Sequence, residues 1–382
     1  MRYLAILPLL LLLAMTSGSG KPIDDRERAF EVPGGGRLFY ERQEGEAGPE
    51  VVGISYSGPA EWLVAQEHPR SHWHKLPALE RIEFVDTSVT SEQIEYVAQL
   101  ESVTRVRFWT CDYEANALRP LGKMTWLKGL EIDFSSFRVN DFTDLKPQPE
   151  FCDFIGKLVN LQSLDLCVGE SVPIGEETFR AITKLENLRE LNIRLQELDA
   201  ETLGLVSKLS QLEFFRFEGL ENPLPLLEGL RGHRRLKTLF ASRVDDRHLA
   251  TLASLASLEM LSLDGKSIGS LAPLANLTNL RSLMMRFHAY KAEELGWMQE
   301  LPQLEMISVW GSLGEDLSLE GLRGHEGLRK LWFYYVRLSV EDLEVLASMP
   351  NLEKLLVGNE PDSEWHVAAK RRLAGVEIYT RR

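Results

Sequence analysis

Cysteine is scarce in this 382-residue chain, with three residues at Cys111, Cys152 and Cys167. So small a number excludes a disulfide-dense scaffold, and an odd one leaves at least one thiol free in the monomer. Basic residues are outnumbered, 43 Lys and Arg against 57 Asp and Glu, for a formal net charge of −14. That deficit argues against nucleic acid as a partner, because phosphate binding draws on an excess of cations. Catalytic signatures are missing: there is no GxSxG, HExxH, P-loop or CxxC. No catalytic residue, cofactor or resident metal is therefore expected. The one histidine cluster, His68, His72 and His74 in HPRSHWH, reads as a solvated loop beside Pro69 rather than a metal site. Core material is not lacking. Hydrophobic residues make up 44% of the chain, with 16 Phe and 8 Trp, which excludes disorder for most of it.

One long apolar run occurs, and it is at the start. Residues 1–20 read MRYLAILPLLLLLAMTSGSG, with Arg2 ahead of an apolar stretch from Tyr3 to Met15 and small residues after it. Thr16, Ser17 and Gly18 suit cleavage after Gly18, and cleavage after Gly20 is an alternative. This is the pattern of a secretory signal peptide, and the run is short for a membrane span. The expectation is an exported chain, secreted or periplasmic, with no stable span after cleavage.

The rest of the sequence is dominated by an internal repeat. LVNLQSLDL from Leu158, LENLRELNI from Leu185, LASLEMLSL from Leu255 and MPNLEKLLV from Met349 share the form LxxLxxLxL. Aligned on the first Leu of an LxxLxL core, the copies fall at Leu79, Val103, Leu127, Leu161, Leu188, Leu212, Leu236, Leu258, Leu280, Leu304, Leu328 and Leu352. The spacing is 22 to 27 residues except for one step of 34, between Leu127 and Leu161. LxL is a period-two strand with Leu pointing inward. The second half of a unit, such as SVEDLEVLASM from Ser339, places Val340, Leu343, Leu346 and Ala347 at helical spacing. Ser339 stands at the N-cap position with Asp342 three residues on, close to a capping box. One strand and one helix cannot bury such a face alone, but stacked units can.

This pattern resembles the leucine-rich repeat family over about 300 residues. The segment from Leu255 to Leu283 is similar to the 22-residue repeats of internalin-type bacterial surface proteins, and the 24-residue copies to helical-backed repeats of exported bacterial proteins. The resemblance implies an α/β solenoid: a right-handed horseshoe with a concave parallel β-sheet, a mostly helical convex side and a cap at each end. It implies binding rather than catalysis. The expected division is a signal peptide over 1–20, an N-terminal cap region over 21–75, about twelve repeats over 76–357 and a C-terminal cap over 358–382. The long step places an insertion near 137–151. Strands are expected at Arg37–Arg42 and Val51–Tyr56, a short helix at Ala60–Glu67, a helix over Ser363–Leu373 and an edge strand at Val376–Tyr379. The hexapeptide EGLRGH occurs at both Glu228–His233 and Glu320–His325, and reads as a duplicated helix-to-strand turn with Gly in the left-handed region. Cys111 reads as a small buried residue. A Cys152–Cys167 bridge is conceivable in an exported chain, but the two fall on opposite sides of the Leu core, which disfavours it.

The repeat assigns a direction to every strand residue. The third and fifth positions of LxxLxL, and the one after the last Leu, point out of the concave sheet. As far as Leu212 these are mostly charged or polar, including Arg81, Glu83, Arg105, Arg107, Glu131, Asp133, Asp165, Asn192, Arg194, Arg216 and Glu218. From Leu236 onward the character changes. Phe240, Met260, Met284, Met306, Trp310, Trp332, Tyr334 and Leu356 are outward, Phe287 and Tyr335 sit one residue further, and Arg286 and Lys330 border them. The expectation is a contiguous exposed apolar patch, a type of surface that marks interfaces. The expected partner-binding residues are thus Phe240, Met284, Arg286, Phe287, Met306, Trp310, Lys330, Trp332, Tyr334 and Tyr335. The partner is read as a protein, with a glycan or cell-wall polymer stacking on the same aromatics as the alternative. A site assembled across repeats from Asp133, Asp165 and Cys167 is the enzymatic rival.

Overall fold

A computed structural model describes residues 30–32, 36–45, 48–57, 73, 76–114, 116–133, 154–168, 174–290, 295–310, 318–334, 336, 338–358 and 363–380. The leader at 1–20, the helix at 60–67, the histidine cluster, the insertion at 137–151 and Cys152 lie outside them, as does the side chain of Cys167.

Each LxxLxL becomes one rung of a single sheet. The sheet has sixteen strands among the described residues, in nearly sequential order. It opens with an antiparallel meander, Phe30–Val32 against Gly36–Gly45 against Gly48–Ser57. From the last of these onward every pairing is parallel, beginning with Arg81–Val85 and ending with Lys354–Val357 against Glu377–Thr380. The first and last strands do not meet, so the sheet is open and not a barrel. The strands expected at Arg37–Arg42 and Val51–Tyr56 are present but longer, and they form a hairpin that the repeat pattern did not foretell.

The inward Leu positions behave as the period requires. Leu79, Val103, Leu127, Leu161, Leu188, Leu212, Leu236, Leu258, Leu280, Leu304, Leu328 and Leu352 are all buried in one continuous core. Parallel strands need a crossover segment, and here it is short. The convex side carries α-helices of at most seven residues within the repeats, such as Glu176–Ile182, alternating with 3-10 turns such as Ala272–Asn276 and Leu295–Glu300. The expected helical backing is thus present only in pieces. A unit of 22 to 24 residues gives five to its strand and several to each corner, which leaves room for two turns at most.

Local chemistry fixes the corners. Ser339 and Asp342 exchange the bonds of a capping box: Ser339 N and Oγ both donate to Asp342 Oδ2 at 2.8 Å, and Asp342 N donates to Ser339 Oγ at 3.2 Å. Asp342 is itself buried and also accepts from Leu319 N at 3.4 Å, tying two repeats together. The two EGLRGH turns place Gly232 and Gly324 at φ +89° and +68°. Their histidines are structural. His233 Nδ1 donates to Leu230 O at 3.0 Å and His325 Nε2 to Met298 O at 3.1 Å, and burial lowers the pKa of both. Cys111 is fully buried, its Sγ donating to Phe84 O at 3.3 Å, and burial pushes its thiol up to about 12.

A further regularity lies just after the first Leu of each core. Eight consecutive rungs carry Arg189, Glu213, Lys237, Glu259, Arg281, Glu305, Arg329 and Glu353 there, alternating strictly in sign. The backbone hydrogen bonds Glu213 N to Arg189 O, Lys237 N to Glu213 O, and so on to Glu353 N to Arg329 O, stack these residues in a row. Ion pairs join Arg189 to Glu213 at 3.6 Å, Lys237 to Glu259 at 3.0 Å, Arg281 to Glu305 at 2.6 Å and Arg329 to Glu353 at 2.6 Å.

Candidate functional site

The sheet register brings the outward residues of the C-terminal half together. At the fifth position of successive rungs stand Phe240, Ser262, Met284, Ser308, Trp332 and Leu356. At the third stand Phe214, Thr238, Met260, Ser282, Met306 and Lys330. Large and small residues alternate along each row as far as Trp332 and Met306, and the two rows are out of step by one rung. Strands about 4.8 Å apart cannot carry bulky groups at every point of a concave surface. The alternation lets each large side chain lean over a small neighbour.

The consequence corrects the expectation of an open patch. Phe240, Met284 and Met306 form a second hydrophobic cluster, separate from the repeat core, with Phe214, Met260 and Trp332 packed against it. Phe240 and Met284 are 6% exposed, Tyr334 7% and Met306 8%. The patch is contiguous but closes over itself as a flush pavement. Ser282 and Ser308 are buried within it. The parts that reach solvent are the half-buried Phe214, Met260, Trp310, Trp332 and Lys330 and the exposed Arg286. The side chain of Phe287 and the whole of Tyr335 lie outside the described residues. The serines at 262, 282 and 308, one repeat apart in alternate rows, were the sequence signal for this closure.

Beside the pavement, where the strands end, lies a cleft of about 780 Å³. Phe240, Met284, Arg286 and Trp310 line it, together with Arg194, Arg216, Glu218, Glu221, Arg243, Asp245 and Asp264. The last seven were not among the expected site residues. Arg194, Arg216, Glu218 and Asp264 occupy outward positions of the repeat pattern, whereas Glu221, Arg243 and Asp245 lie beyond the strands, where the pattern assigns no direction. The chain turns there through Gly219 at φ +97° and Arg243 at φ +57°. Arg216 closes one end, pairing with Glu218 at 2.5 Å while its guanidinium lies 5.8 Å from the Phe240 ring centroid. Arg243 pairs with Glu221 at 2.7 Å. At the other end Trp310 stacks on Tyr334, ring centroids 3.9 Å apart and planes at 29°, with its Nε1 donating to Ser308 Oγ at 3.1 Å.

The N-terminal half is polar and self-paired, as its sequence suggests. Arg107 reaches both Glu83 at 3.8 Å and Glu131 at 2.8 Å, and its guanidinium lies 4.6 Å from the Trp109 ring. Burial, with Asp165 and Glu83 nearby, raises the pKa of Glu131, while Arg107 acts against the rise. Asp165 accepts from Asn192 Nδ2 at 2.9 Å. Asp133 is turned inward and 1% exposed, accepting from Thr110 N at 3.4 Å. Asp133 and Asp165 therefore do not converge on one reacting point. No group of three or more His, Cys, Asp or Glu able to hold a metal occurs among the described residues. No helix among them is long and apolar enough to cross a membrane.

No family model matches the chain, and no curated protein matches it. Solved structures do. An internalin, InlF, from Listeria monocytogenes superposes with a TM-score of 0.54 at 17% identity, covering 85% of this chain and 86% of its own. The fold is the leucine-rich repeat solenoid. A leucine-rich repeat protein of Leptospira interrogans also matches, at 16% identity over 80% of this chain and 91% of its own, with a TM-score of 0.36. So does the leucine-rich repeat ectodomain of the Arabidopsis thaliana receptor kinase GASSHO1/SCHENGEN3, at 16% identity and a TM-score of 0.49, over 88% of this chain and 39% of its own. At such identities the leucine-rich repeat likeness carries the fold alone, and the site must be argued from its own residues.

Proposed function

We propose that this solenoid is an exported, non-catalytic binding module that holds a protein partner against the concave face of its C-terminal half. One observation carries the reading. Six successive rungs place apolar side chains on the solvent side of the sheet, where polar ones would cost less, and assemble them into a cluster independent of the core. A rigid pavement loses little freedom on binding, so contact area converts more fully into affinity. Trp332 and Trp310 stand as anchors above it, with Arg286 and Lys330 at the rim, residue types suited to an interface centre and its border. Export rests on the leader sequence of residues 1–20.

The test is a photo-crosslinking residue placed at Lys330 in the exported chain and activated in producing cells. The expected result is a discrete adduct that disappears in a Trp332→Glu variant. A residue placed at Val159, which is 52% exposed and far along the array, should give no such adduct. Equal labelling from both positions, or an adduct indifferent to Trp332→Glu, overturns the reading. Light scattering on the purified chain tells a second copy from a foreign partner.

A further inference from the structure

We infer that the cleft at the strand exits binds an uncharged saccharide, with Trp310 as the stacking platform. The inference concerns the edge of the same face and a different class of ligand; it shares Trp310 and Arg286 with the protein-docking proposal but not Trp332 or Lys330.

Three features of the cleft converge on that chemistry. Asp264, Arg286, Trp310 and Tyr334 stand side by side on four successive strands. Tyr334 is thus on one side of the indole and the strand of Arg286 on the other. Stacking on Tyr334 fixes the ring and leaves its opposite face toward the cleft that it lines. A flat, braced aromatic face is what the apolar C–H face of a pyranose packs against, and bracing removes the cost of ordering the ring on binding.

The second feature is the charge. The cleft is lined by four arginines, Arg194, Arg216, Arg243 and Arg286, and by four acids, Glu218, Glu221, Asp245 and Asp264. A polyanion would meet the acids and a polycation the arginines, so like-charge contact disfavours both. A hydroxyl is donor and acceptor at once. Neighbouring hydroxyls on a sugar ring therefore satisfy a carboxylate and a guanidinium together.

The third feature is where such a bracket stands. Arg286 Nη1 and Asp264 Oδ2 pair loosely at 3.8 Å on the two strands that precede that of Trp310. A ring stacked on the indole would place its hydroxyl edge between them. The volume, about 780 Å³, lies within the range of specific ligand sites.

The test is isothermal titration of the leaderless chain, residues 21–382, with a panel of uncharged hexasaccharides: cello-, malto-, laminari-, manno- and chitohexaose. At least one should bind saturably. Trp310→Ala should weaken that binding by about tenfold or more, in line with the loss of one aromatic contact. Trp310→Phe, which keeps a stacking face, should retain most of it, and Asp264→Asn should weaken it with the fold intact by circular dichroism. Trp332 lies outside the cleft, and Trp332→Ala should bind as the parent does. Failure of every hexasaccharide at millimolar concentration overturns the inference. So does binding that survives Trp310→Ala unchanged, or displacement of the sugar by an acidic or basic peptide at lower concentration. Because Trp332→Glu abolishes the crosslink proposed above and leaves the cleft untouched, the two readings fail separately.

Discussion

The two halves of the concave face share one backbone and differ in what stands on it. From Arg81 to Arg194 the outward rows are mostly charged or polar, and several side chains are held by one another across rungs, as Arg107 is between Glu83 and Glu131. From Phe240 onward the same positions carry Met, Phe and Trp alternating with Ser and Thr, and the holding is done by packing. The changeover is a single residue. Arg216 bonds to Glu218 on its own strand and lies against the Phe240 ring of the next. A repeat array lets its exposed face change character from one unit to the next without disturbing the core, because each unit is stabilised chiefly by its neighbours.

The comparison breaks most sharply on removal of one side chain from each half. Met284→Ala opens a void in a nearly closed cluster and should cost about 2 to 3 kcal/mol of unfolding free energy in urea. Arg107→Ala, at the corresponding place among the paired charges, should cost under about 1 kcal/mol. Equal losses would mean that the pavement is no more than a coated surface. Filling the pavement tests its geometry from the other side. Ser308 is 1% exposed, so Ser308→Leu should overpack the cluster and cost about 1 to 3 kcal/mol. Ser55, on the same row of the N-terminal strands, should accept a larger residue more easily.

Acid sharpens the comparison by loosening one half first. His233 and His325 both lie in the C-terminal half, and burial holds their pKa values below the ordinary 6.5. The unfolded chain therefore takes up protons that the folded chain refuses. The stability contributed by these residues is complete above about pH 6.5 and is lost as the pH falls below it. For His325 the reason is explicit, since its Nδ1 accepts from Gly327 N at 3.1 Å and its Nε2 donates to Met298 O. Limited proteolysis should cut the C-terminal half first at mildly acid pH, and His325→Gln should flatten the dependence.

The smallest effect concerns the row of alternating charges. Its members are exposed, and such pairs are worth little singly. Arg281→Glu would put an acid between Glu259 and Glu305, making three like charges in succession, and should lower the thermal midpoint by a few degrees at low salt. Adding Glu305→Arg should return part of the loss, and high salt should erase most of the difference.

Much of this was legible in the sequence. Twelve anchors, eleven Leu and Val103, and their spacing determined the sheet, its direction and its buried face, because period two and a steady repeat leave one way to bury them. The outward rows were legible as rows. Their closure was not, although Ser282 and Ser308 carried it, because the period assigns each strand its two faces while the packing acts between strands. The cleft was illegible for another reason. Glu221, Arg243 and Asp245 lie beyond the strands, where the turn and not the period aims a side chain. The antiparallel hairpin at the start was hidden as well, since Gly36–Gly45 lies outside the repeat.

The charge row alternates with a period of two repeats, and so does the pattern of large and small residues on the pavement. The two EGLRGH turns are four repeats apart, an even number. Loss or gain of a single unit would bring like charges together and set two bulky residues side by side, whereas a change of two units would preserve both patterns. Over the rungs where the two patterns run together, the unit of this surface is therefore a doublet of repeats rather than a single one.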